Sequence, residues 1–161
     1  MTIESATTAV PTLAAGAQAL STTMQDQPEL RVELLGEVAK VQQQMGLYTE
    51  AARLLSQRIE MTRGGGKSAH AHALLDAAEN AQRTGDVGRA ASLHSEALVA
   101  APAPGTDAVL LFRQLYVGGV IRVAEGRGTE AQRSLQAAVD LAQSQFEATD
   151  IRLIDALSNL A

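Results

Sequence analysis

The sequence predicts an all-α fold, a solenoid of stacked helix pairs, and three observations carry that prediction. First, segments read from Gly46, Gly85 and Gly126 share one pattern: an apolar helix, a Gly turn, then a second helix with Ala five residues after the Gly, at Ala51, Ala90 and Ala131. Leu55, His94 and Leu135 follow four residues later. Second, no stretch alternates apolar and polar residues over a useful strand length. Third, alanine is abundant while aromatics make up only 2% of the chain, a composition suited to helices that approach closely. A helix pair cannot bury its apolar face alone, so such pairs stack on their neighbours and leave a surface for a partner.

Each element has its own warrant. Residues 1–11 are rich in Thr, Ser and Ala, end in Pro11 and read as a flexible arm. The remainder, 12–161, reads as a single domain. Thr12 can cap a flanking helix over 12–27, on which Leu13, Ala17, Leu20 and Met24 recur at helical spacing before Pro28 breaks it. Three pairs follow, over 29–45 and 48–62, 68–84 and 87–100, and 107–125 and 129–146, giving repeats of about 29–62, 68–101 and 107–146. Each internal turn sets Gly where a helix end commonly takes a left-handed residue. The pairs are separated by Arg63-Gly64-Gly65-Gly66-Lys67 and Ala101-Pro102-Ala103-Pro104-Gly105, both poor helix sequence. A terminal helix over 149–160 carries Ile151, Leu153, Ile154, Leu157 and Leu160 on more than one face. An apolar end of this kind is expected either to continue into a longer chain or to pair with a second copy as a homodimer.

This pattern resembles the tetratricopeptide repeat family, with its W-x2-L-G-x2-Y, A-x3-F and P positions, over about residues 29–161. The large first position falls on Leu35, Leu74 and Leu115, and the small residue at the crossing of paired helices on Ala39, Ala78 and Gly119. Ala97 and Ala138 match a further small position that Arg58 occupies in the first repeat, and Pro102 sits where a repeat often ends. The turn glycines are 39 and 41 residues apart, longer than the family's usual spacing, and the aromatic positions hold Leu, Gln, Ala and Arg. Long repeats of this type are similar to arrays attached to bacterial regulators. The resemblance implies a right-handed superhelix and a scaffold for protein–protein interaction, in the regulatory part of a larger signalling protein. A chaperone or adaptor for a client, or a peptide or small-molecule sensor, are its alternatives.

Composition and motifs exclude much else. A net charge of −5 and a pI near 5.1 argue against nucleic-acid backbone binding and against anionic membranes. No apolar run is long enough to span a bilayer and no signal peptide is evident, so a cytoplasmic location is expected. Without Cys there is no disulfide, thiolate zinc site or thiol chemistry. The tract Gly64-Gly65-Gly66-Lys67-Ser68 lacks the P-loop's earlier Gly, that place being Met61, and a helix precedes it where a strand is required. His70 and His72 lie two apart, unlike helical zinc ligands at i, i+4, and read as surface histidines. His94 falls on the apolar stripe of its helix and reads as a core or boundary histidine. Glu33 with Glu37 and Asp76 with Glu79 read as exposed acidic residues without a nucleophile or ligand set. No catalytic residue, metal or cofactor is therefore expected.

In the family that the chain resembles, the first helices of the pairs line a concave groove. Their offsets from the turn select Glu33, Lys40 and Gln44, then His72, Leu75, Glu79 and Arg83, then Arg113, Tyr116 and Val120, as the residues facing a protein or peptide partner. Arg83 and Tyr116 are the leading anchors, since Arg and Tyr dominate interface energies. The family's carboxylate clamp is ruled out, because Glu33 and Glu37 stand at its first-repeat positions and would repel a carboxylate.

Overall fold

The computed structural model describes residues 27–102, 107–146, 150 and 158. The expected arm over 1–11, the flanking helix over 12–27 apart from its last residue, and the terminal helix over 149–160 apart from Asp150 and Ser158 lie outside the described residues. The described residues form six main helices and no strand: α1 Pro28–Gln44, α2 Tyr48–Thr62, α3 Lys67–Arg83, α4 Val87–Ala100, α5 Ala108–Ala124 and α6 Gly128–Gln145. All-helical structure is thus established, with every boundary within one residue of the sequence expectation. The described residues fall into two compact units, divided between Met61 and Thr62.

The three pairs turn in the same way. Gly46, Gly85 and Gly126 have φ of 77°, 79° and 75°, the left-handed region where a Cβ is strained. At the first turn the Gly46 amide donates to the Gln43 carbonyl and the Leu47 amide to the Gln42 carbonyl, which satisfies two carbonyls that the helix end would otherwise leave open. Asp86 donates to Ala81 and Arg127 to Arg122 in the equivalent bonds. The residue after each glycine then opens the next helix, its carbonyl accepting from Ala51, Ala90 and Ala131 respectively. One residue therefore ends one capping motif and begins another, which fixes a tight three-residue connection.

In the first unit, Leu35 and Ala39 on α1 and Ala51 and Leu55 on α2 are buried. The long Arg58, at a position that is Ala in the other pairs, is accommodated by Gly36: a Cβ there would stand 3.0 Å from the guanidinium carbon. Arg58 Nε donates to the Val32 carbonyl at 3.1 Å. The corresponding positions are Leu75 with Ala97 and Tyr116 with Ala138, so a small residue on one helix answers a large one on the other.

In the second unit, α3 packs on α4 and α5 on α6, while α3 and α4 both also contact α5. The close approach rests on small residues. α3 buries Ala71, Ala73, Ala77, Ala78 and Ala81 beside Leu74 and Leu75. On α5 two adjacent glycines serve two neighbours: a Cβ on Gly118 would come within 2.7 Å of the His94 ring on α4, and one on Gly119 within 2.7 Å of Leu135 on α6. Consecutive residues on a helix point about 100° apart, which is why Gly118 and Gly119 face different helices. Phe112 stacks on Tyr116 at 5.8 Å and meets Phe146 edge-on at 5.9 Å, over Ala138, Val139 and Ala142 of α6.

Candidate functional site

The first helices of the second and third pairs, α3 and α5, run in parallel, and their seam advances in the same direction from Ser68 with Asp107, through Asp76 and Glu79 with Arg113, to a pocket that Arg83 and Val120 both line. The α3 side chains involved, His72, Asp76, Glu79 and Arg83, recur at spacings of four, three and four, which places them on one helical stripe. The α5 side chains Arg113, Tyr116, Val117 and Val120 form the facing stripe.

The N-terminal part of the seam is a polar network. Asp107 caps α5 through its Oδ1, which accepts from the Leu110 amide at 2.9 Å, while its Oδ2 accepts from the Ser68 hydroxyl at 2.6 Å. The Ser68 hydroxyl above all, then the Leu110 amide, holds the Asp107 carboxyl below its ordinary value. His72 Nε2 lies 3.4 Å from Asp107 Oδ2, and Arg113 Nη1 lies 3.2 Å from His72 Nδ1. A guanidinium only donates, so Nδ1 is the accepting nitrogen and the ring proton sits on Nε2, toward Asp107. Arg113 Nη2 donates to Asp76 Oδ1 at 2.6 Å and to Glu79 Oε1 at 2.8 Å.

The C-terminal part opens into a small pocket of about 60 Å³ lined by Glu79, Gln82, Arg83, Tyr116, Val117 and Val120. Tyr116 is half-buried, with its ring stacked on Phe112, so it both packs against α5 and α6 and forms the pocket wall. Arg83 is exposed at the rim.

The ten residues selected from the repeat register therefore separate into groups. Glu79, Arg83, Tyr116 and Val120 meet at the pocket. His72 and Arg113 belong to the network beside it, where partners within the chain occupy their polar atoms. Leu75 is fully buried and cannot face a partner; its register opposite Ala97 makes it the large member of a core pair. Glu33, Lys40 and Gln44 are exposed on α1, in the other unit.

Two expectations need correction. Asp76 and Glu79 are not simply solvated acids, since both bind Arg113 with only 24% and 29% of their side-chain surfaces exposed. The histidines are likewise engaged, His70 Nδ1 lying 3.1 Å from the Thr62 hydroxyl and His72 lying between Arg113 and Asp107. His94 is a buried core residue, with Nε2 donating to the Gln114 carbonyl at 2.8 Å; burial first, and Arg122 nearby, push its pKa down. Sequence reasoning missed Gln82 and Val117, each adjacent in the chain to a residue it selected. It also missed Asp107 and Ser68, whose signal is the capping preference of Asp at a helix start.

Among the described residues no helix is long and apolar enough to cross a membrane, and no cluster of potential ligands could hold a metal ion. No protein-family model and no curated protein matches the sequence.

Proposed function

We propose that the chain is a recognition module without catalytic activity, a tetratricopeptide-like right-handed array that takes a short extended peptide segment of a protein partner along the α3–α5 seam. One observation carries the proposal: four of the residues that the family resemblance selects by their offsets from the turn, Glu79, Arg83, Tyr116 and Val120, line a single pocket. A pocket with an aromatic wall, two valines and a guanidinium at its rim has the composition of an interface anchor site. The long repeat spacing supports placing the module in the regulatory part of a larger bacterial signalling protein.

The test is selection from a random peptide library on the full chain, followed by hydrogen exchange with and without the selected peptides. The expected result is slowed exchange around 79–83 and 116–120, and loss of binding in Val120→Asp, confirmed folded by circular dichroism. Peptides that protect only other helices, or that bind Val120→Asp equally well, would sink the proposal.

A further inference from the structure

We propose that the pocket reads an acidic side chain lying next to a small aliphatic one in the bound segment, and that Arg113, outside the pocket, keeps the reading cation available. The inference rests on the pocket being a peptide site. Glu79 lies four residues before Arg83 on α3, the order and spacing in which a carboxylate and a guanidinium pair best along a helix. That pair does not form. Glu79 Oε1 accepts instead from Arg113 Nη2 at 2.8 Å, across the seam. Arg83 is left exposed at the pocket rim, and among the described residues no ion pair engages its guanidinium.

A free guanidinium presents a planar fork that matches a carboxylate with two parallel hydrogen bonds. The charge of Glu79 is offset by Arg113. Asp76, the second carboxylate on Arg113, stands seven residues from Arg83, about 10 Å of helix rise, where physiological salt screens most of its repulsion. The rest of the pocket is Gln82 and an apolar part made of the Tyr116 ring with Val117 and Val120. Its volume of about 60 Å³ is less than half of the roughly 150 Å³ that admits benzene. An aliphatic side chain of about the size of Val matches this space better than an aromatic ring.

The experiment selects acetylated, C-terminally amidated random octapeptides on the full chain, so that side chains supply every carboxylate. The expected outcome is enrichment of Asp or Glu beside Val, Ala or Ile, with affinity falling about tenfold in Arg83→Gln, as for loss of a charge-assisted bidentate pair. Arg113→Met should also weaken these peptides, because Glu79 is then free to neutralise Arg83, and adding Glu79→Gln should restore them. Peptides that depend on the pocket, shown by their loss in Val120→Asp, but carry no acidic preference or ignore Arg83→Gln, would overturn this inference and leave the peptide site standing. If no selected peptide is sensitive to Val120→Asp, both readings fall.

Discussion

Gly118 and Gly119 show how much can hang on a missing methyl group. In a helix interior, Gly→Ala normally stabilises by up to about 1 kcal/mol through propensity. Here Gly118→Ala would press on the His94 ring and Gly119→Ala on Leu135, both buried side chains in packed positions. Overpacking of this kind costs about 1–3 kcal/mol, so each substitution is expected to lower the urea midpoint, whereas Gly88→Ala, with nothing within 4 Å of its added carbon, is expected to raise it. A raised midpoint for Gly119→Ala would show that α5 and α6 are not held at this distance. His94 makes a second prediction. Its folded pKa is lowered because burial favours the neutral ring, so its contribution to stability is complete above the unfolded value of about 6.5 and is lost as pH falls below it. Unfolding at pH 7.5 and 5.5 should show that loss, and His94→Leu, which restores the residue type found at Leu55 and Leu135, should reduce it. An unchanged pH dependence in His94→Leu would assign the acid sensitivity to other groups.

The α3–α5 seam shows where sequence reading stops. Helical periodicity indicates which side chains share a stripe, and Glu79, Arg83, Tyr116 and Val120, which the family resemblance selected by their offsets from the turn, line a single pocket. Periodicity could not separate Leu75 from that set, because a position one step around the helix is exposed or buried according to the neighbouring helix, which α3 alone does not encode. Nor could it pair Arg113 with Asp76 across 37 residues, since long-range ion pairs leave no periodic trace. Asp107 joins the two helices by capping α5 with one carboxylate oxygen and holding Ser68 of α3 with the other. Asp107→Ala is therefore expected to cost about 1–2 kcal/mol, and amides in the first turn of α5 should exchange faster. Because the Asp107 pKa is lowered, the stability from this link is complete above the ordinary carboxylate range, and the link itself is lost only as pH falls below that range, through the depressed folded value. A native-like exchange pattern in Asp107→Ala would reduce the residue to a passive surface acid.

At the scale of the whole chain, the helical architecture was legible because glycine punctuates it. Gly46, Gly85 and Gly126 each occupy a left-handed turn position that few other residues tolerate, and the helix boundaries follow from them. The division after Met61 was not legible, since α2 reads as one continuous helix across it. Burial is uneven along the chain. α3 has eight buried residues and α5 six, against three on α1. Amide exchange is accordingly expected to be slowest in α3 and α5 and faster in α1, because protection follows burial. Uniform protection across α1, α3 and α5 would contradict this ranking. The paired glycines of α5 have one more consequence, for how such an array can change over time. Gly118 accommodates a side chain of the preceding repeat, His94, and Gly119 one of its own repeat, Leu135. The third repeat therefore carries an imprint of the second on its surface. Duplicating or reordering these segments would place Gly118 against a side chain it was not shaped for, so their order is part of what the sequence encodes, and the repeats are not interchangeable.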